Sequence, residues 1–151
     1  MITYGVFTKD KDFAIKLITY KTRRCKSVNI QSTSISYIAN TDTGVIYRWV
    51  NPVDNNLRGI KVDIGIIDID TCSLDMIQLI VNYCIIIEEQ YDIITQSRNE
   101  PYDLDTLIDR LEKVKYIKGN LKNVKYYGDE YEEKVIHNLT ILENSLFLEW
   151  V

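Results

Sequence analysis

The sequence predicts one α/β domain over residues 1–151, built on a mostly parallel or mixed sheet with a β-hairpin and three to four helices. Three observations carry this. An apolar run, Ile64 to Ile67, ends in the acids Asp68 and Asp70 and runs straight into a helix start, as a buried parallel strand does. Segments of strand period alternate along the chain with segments of helix period. Two stretches, 34–50 and 51–59, have the turn residues of a hairpin and of a connecting loop.

Residues 2–8 are β-branched and aromatic and read as the first strand. Thr8 is the expected N-cap of the helix that follows, with Asp10 and Asp12 in its first turn and Phe13, Ala14, Leu17 and Ile18 as its apolar stripe. Lys21, Arg23 and Arg24 fall where the helix dipole favours cations. Residues 27–39 alternate in polarity, giving one half-exposed strand or two short ones. Gly44 closes a turn, and 34–50 forms a hairpin with Tyr47 and Trp49 on one face.

After the loop at 51–59 comes the central strand, then Ser73 as N-cap of a helix expected over 74–88, apolar nearly all round. A short strand is expected over 91–97 and a turn at Arg98 to Pro101. Asp103 caps the next helix, whose stripe is Leu104, Leu107, Ile108, Leu111, Val114 and Ile117, with Gly119 as its C′ residue. Residues 124–127 read as a strand. Asp129 and Glu132 resemble a capping box ahead of a helix carrying Val135, Ile136, Leu139 and Leu142, and 146–151 reads as a closing strand.

Composition narrows the function. Hydrophobic residues make up 46% and charged residues 26%, ordinary for a soluble globular protein. No apolar run approaches the roughly 20 residues of a membrane span, and no secretory leader is expected, so a cytoplasmic protein follows. Cys25, Cys72 and Cys84 are odd in number and far apart, which argues for a reducing compartment and against a zinc site. His137 is the single histidine, too few for a His-based metal centre or a catalytic pair. No cofactor and no metal are expected. The abundance of Ile, Asn, Lys and Tyr beside scarce Ala has the bias of an AT-rich genome, and a viral or phage accessory protein is expected.

Charge is split along the chain. Residues 1–61 hold ten Lys/Arg against four Asp/Glu, and residues 62–151 hold eight against eighteen, so about +6 stands against −10. Both halves read equally as solvated surface. The sharper readings are a phosphate-facing patch with Arg23, Arg24, Arg48 and Arg58, and an acidic part that repels or mimics nucleic acid. Tyr126, Tyr127 and Tyr131 among Asp129, Glu130, Glu132 and Glu133 suit a protein interface, with aromatic anchors in a polar rim. Asp63, Asp68 and Asp70 are also candidate magnesium ligands of a nuclease, since Asp68 and Asp70, i and i+2 on a strand, share a face. Strand-ending acids more often cap and solvate.

The order strand, helix, hairpin, Leu57-Arg58-Gly59, apolar strand ending in Asp68 resembles the middle of viral DNA-packaging (large terminase) and helicase-like P-loop ATPases, over residues 2–97. The resemblance implies that Asp68 stands where that family holds magnesium through water, and that Ile93-Ile94-Thr95-Gln96-Ser97 stands where it carries a small polar coupling motif. Two departures follow. The chain has no Gly-x-x-x-x-Gly-Lys-Ser/Thr to cradle phosphates, and Ile69 stands in place of the catalytic Glu. The expected function is therefore a non-enzymatic binder of a macromolecule, by protein interaction, inhibition or nucleic-acid mimicry. The alternative is a degenerate terminase- or helicase-like protein that binds nucleotide or DNA, with Arg58, Asp68 and Asp70 at its site.

Overall fold

The computed structural model describes residues 1–53, 57–96 and 104–127. Their order is β1 (Ile2–Phe7), α1 (Lys11–Lys21), β2 (Val28–Ser32), β3 (Tyr37–Thr41), β4 (Val45–Val50), β5 (Lys61–Asp68), α2 (Leu74–Tyr83), β6 (Ile85–Ile94), α3 (Leu104–Asn120) and β7 (Asn123–Tyr127). The strands form one sheet in the order β2-β3-β4-β1-β5-β6-β7. β2, β3 and β4 pair antiparallel, and β4, β1, β5, β6 and β7 run parallel. This is the α/β architecture expected, as a mixed sheet with the hairpin at β3–β4 and three helices among the described residues.

The alternation of side chains along β1, β4 and β5 builds two cores. Val6, Trp49 and Ile66 point to one face, where Ala14 and Ile18 of α1 meet them. Phe7, Val50 and Ile67 point to the other, where Ile77 and Ile80 of α2 and Val114 and Ile117 of α3 pack. β5 is apolar on both faces because it is covered on both, and it lies between β1 and β6 as an inner parallel strand. Each fully buried Ile or Phe here contributes about 1.5–3 kcal/mol relative to exposure.

Several local expectations are corrected. Thr8 does not cap α1: Asp10 does, its side chain accepting from Phe13 N at 3.1 Å. The Thr8 hydroxyl is turned toward Asp68 instead. α2 ends at Tyr83 and not at 88, because the β-branched run Ile85-Ile86-Ile87 starts β6 beside Lys61 and Val62. β6 thus runs ten residues, and its register with β5 slips between Val62 and Ile64, near Glu89 at φ +50°. Gly119 lies inside α3 rather than past its end. The last turn is closed by Asn120 Nδ2 on Tyr116 O and by Leu121 N on Ile117 O. In the α3 stripe Leu111, Val114 and Ile117 are buried and Ile108 is exposed.

The side chains of Leu104 and Leu107, the residues Ser97 to Asp103, and the whole segment 128–151 lie outside the described residues. With them go the expected Asp103 cap, the 98–101 turn, the capping box at Asp129, the 135–142 helix, the closing strand and His137. No helix among the described residues is long and apolar enough to cross a membrane.

Candidate functional site

The chain leaves β1 toward β4 on one face of the sheet, through α1, and leaves β5 toward β6 on the other face, through α2. β1 and β5 are neighbours, so the gap between their carboxyl ends is the switch point where ligands of open α/β sheets gather. Thr8 follows β1 there and Asp68 ends β5. The loop after β6, with Thr95 and Gln96, closes the same rim.

Asp68 is fully buried. Its Oδ2 accepts from Thr8 Oγ1 at 2.8 Å, from Gln96 Nε2 at 2.9 Å and from Thr71 Oγ1 at 3.1 Å, and its Oδ1 accepts from Asp70 N at 3.0 Å. Burial pushes the Asp68 carboxyl above its ordinary range, against the pull of the hydrogen bonds from Gln96, Thr8 and the Asp70 amide. Asp70 sits in the turn past the strand. Its Oδ2 accepts from Gln96 N at 2.6 Å and Thr95 Oγ1 at 2.8 Å, and its Oδ1 takes the Arg110 guanidinium from α3. Lys113, one helical turn further on, donates to Ile69 O at 2.8 Å and pairs with Asp109.

All four carboxylate oxygens of Asp68 and Asp70 therefore accept from the chain itself. Magnesium is held by one or two carboxylates that offer it open oxygens. Asp63 is not near them. Its Oδ2 accepts from Thr3 N at 2.7 Å, close to the other end of β5. Among the described residues no group of three or more His, Cys, Asp or Glu is placed to hold a metal ion.

The arginines are distributed rather than gathered. Arg23 stacks on Tyr20 at the end of α1, with its guanidinium 3.9 Å from the ring centre, and Arg24 is exposed beside it. Arg58 lies over Tyr83 at the end of α2, which is across the sheet from α1. Arg48 shares the α2 face of β4 with Val50. Of the tyrosines, Tyr126 packs against the core rather than standing free at a surface, while Tyr127 is exposed. Asp129, Glu130, Tyr131, Glu132 and Glu133 lie outside the described residues.

Thr8, Thr71, Arg110 and Lys113 were not singled out as rim residues by sequence, and Gln96 was named only within the coupling-motif segment that the resemblance implies. The signal for two of them was present: Arg110 and Lys113 each precede an apolar stripe position, Leu111 and Val114, and so flank the buried side of α3. Cys72 and Cys84 are internal fittings. Cys72 Sγ donates to Phe7 O and Cys84 Sγ to Leu57 O, and burial pushes their thiols up to about 12 and about 11. No protein-family model matches the chain, and no curated protein is similar to it in sequence.

Proposed function

We propose that this protein acts by binding a macromolecular partner and performs no phosphate chemistry of its own. The observation that supports the reading is the closure of the switch-point rim, where Thr8, Thr71, Thr95, Gln96, Arg110 and two backbone amides occupy every oxygen of Asp68 and Asp70. A partner protein is favoured over nucleic acid, because Arg23 and Arg58 stand on opposite sides of the sheet and make no common basic face.

The surface proposed for that partner is the β2 margin. The hairpin β3–β4 is not itself an edge, since β2 covers β3. β2 has no second strand partner among the described residues, and Ile30 on it and Ile35 just after it are 51% and 78% exposed. An open strand with apolar side chains accepts a strand from another chain through main-chain hydrogen bonds. A host-cell cytoplasmic setting and a viral accessory role belong to the same reading.

The second reading is a terminase- or helicase-like relative that binds nucleotide or DNA without hydrolysis. What favours it is the contact between Gln96, in the segment after β6, and Asp68 at the end of β5.

One experiment separates the two. The purified protein is assayed for turnover of magnesium ATP and for duplex-DNA binding at low and high salt, and in parallel is used to capture partners from the native host with and without Ile30→Lys and Ile35→Lys. The proposal expects no turnover, no salt-steep DNA binding, and a captured protein that the two lysines release. Turnover lost in Asp68→Ala, or DNA affinity that falls steeply with salt, overturns it.

A further inference from the structure

β2 is the outermost strand on its side of the sheet, and its pairing with β3 fixes which way each main-chain group points. Ser27 O accepts from Asp42 N at 3.2 Å and Thr33 N donates to Ser36 O at 2.9 Å, both in the β2–β3 register. Hydrogen-bonding direction alternates along a strand, so Asn29 and Gln31 also bond β3. Val28, Ile30 and Ser32 therefore turn their N–H and C=O groups to the open side. Asn29 to Ser32 are exposed, and no strand among the described residues lies beside them there. Natural edges are protected by a charge, a proline or a bulge. Val28-Asn29-Ile30-Gln31-Ser32 has neither charge nor proline, and its register with β3 is unbroken.

The chain around β2 is one-sided in charge. From Phe13 to Thr41 there are five cations, Lys16, Lys21, Arg23, Arg24 and Lys26, and no carboxylate. All five are exposed, and no salt bridge among the described residues uses them. Arg23, Arg24 and Lys26 come just ahead of Val28, at the start of the strand. Asp42 stands opposite Ser27, one carboxylate against the three cations there. At the far end of β2 the cation is Lys11, which already donates to Thr33 O.

We propose that β2 takes an acidic, extended segment of a partner protein, added antiparallel as a further strand, with its acids on the C-terminal side of its apolar contact. The inference rests on the partner surface proposed above and adds the partner's chemistry and direction. The main-chain groups of Val28, Ile30 and Ser32 supply the ladder, and the Ile30 side chain, 51% exposed, supplies the apolar contact. In antiparallel addition the incoming chain runs from Ser32 toward Val28, so residues past that contact arrive at Arg23, Arg24 and Lys26. Parallel addition delivers the same residues to the Ser32 end, where Lys11 is engaged. A second copy of this chain brings the same cations to its own β2 and no carboxylate from Phe13 to Thr41 to meet them. Nucleic acid meets cations through its phosphates but offers no strand to complete an open ladder.

The test uses ¹⁵N-labelled full-length protein and three end-blocked peptides that share the core Thr-Val-Thr-Val-Thr. The first has Glu-Glu-Glu after the core, the second has Glu-Glu-Glu before it, and the third has Gln-Gln-Gln after it. The expected result is saturable binding of the first, at least about tenfold tighter than the other two at low salt, with its advantage over the third shrinking as salt is added. On binding, the amides of Val28, Ile30 and Ser32 become protected from hydrogen exchange, while those of Asn29 and Gln31 are protected throughout. Arg24→Glu with Lys26→Glu weakens the first peptide at least about tenfold, and Ile30→Pro, which removes an outward N–H and spares the β3 ladder, weakens all three. The peptide comparison uses the wild-type protein and holds even if a variant fails to fold, which circular dichroism reports. Equal binding of the three with protection at β2 overturns the acidic chemistry and leaves the partner surface standing, and tighter binding of the second peptide overturns the direction alone. Binding of none, or protection elsewhere than β2, overturns the proposal and that surface together. Dimerisation through the same amides without peptide, or tighter binding there of a short duplex DNA, also overturns it.

Discussion

Arg110 on α3 reaches across to Asp70 in the turn after β5 and forms an ion pair that solvent barely touches, the two side chains being 3% and 1% exposed. The pair ties a helix to the carboxyl end of the central strand, in a place where related architectures keep room for ligands. It also satisfies the last carboxylate oxygen that Thr95 and the Gln96 amide leave open.

Breaking that pair from one side leaves a buried, uncompensated charge. Arg110→Met is expected to destabilise the fold by about 3–5 kcal/mol. Adding Asp70→Asn to it should recover part of the loss, because the stranded carboxylate goes with it. Urea unfolding of the two single variants and the double variant measures the coupling. Purely additive losses would place the pair outside the energetics of the rim.

Asp68 sets the sign of one pH effect. Its carboxyl is raised by burial, so the folded protein holds that proton to higher pH than the unfolded chain does. The stabilisation linked to that proton is complete below the ordinary carboxylate range and is lost as pH rises through the raised value. In denaturant titrations across the acid range, wild type should lose this component with rising pH and Asp68→Asn should not. A variant whose stability tracks wild type at every pH contradicts the assignment.

The Tyr91 ring packs against Gly65 on the neighbouring strand. A Cβ built at Gly65 would come within 2.5 Å of Tyr91 Cε1, so this glycine is required by contact rather than by its dihedral angles. Gly65→Ala is expected to cost about 1–3 kcal/mol or more through overpacking. Tyr91→Phe should not destabilise, since the Tyr91 hydroxyl is buried with no hydrogen-bond partner. Thermal melts of both variants check the pair of outcomes, and a stable Gly65→Ala or a weakened Tyr91→Phe contradicts this packing.

Thiol chemistry reports the core directly. With Cys72 raised from 9.0 to about 12, its thiolate fraction near pH 8 falls about a thousandfold, and Cys84 at about 11 follows the same course. Iodoacetamide should label half-buried Cys25 in the native protein and reach Cys72 and Cys84 only after unfolding. Peptide mapping of the labelled sites, with and without denaturant, decides it.

The central strand was legible because burial on both faces leaves an unbroken apolar run, Ile64 to Ile67. The hairpin was legible from Gly44, at φ +81° in the turn it closes. The 85–87 stretch was misread because an isoleucine run fits a buried helix and a buried strand alike. Pairing with Lys61 and Val62, a tertiary effect, decides between them. At the rim, sequence marked Asp68 and Asp70, and Thr95 and Gln96 only through the resemblance, without pairing any of them. Thr8, Gln96 and Arg110 reach the acids across 60, 28 and 40 residues of chain, and no local spacing encodes such a meeting.

The most direct test of the rim's character is a magnesium titration followed by the side-chain carboxyl ¹³C resonances of Asp68 and Asp70. Because each oxygen is held by a donor of the chain, both resonances should stay in place up to millimolar magnesium. A saturable shift of either one would show that the rim opens to a metal and would contradict a purely binding role for this protein.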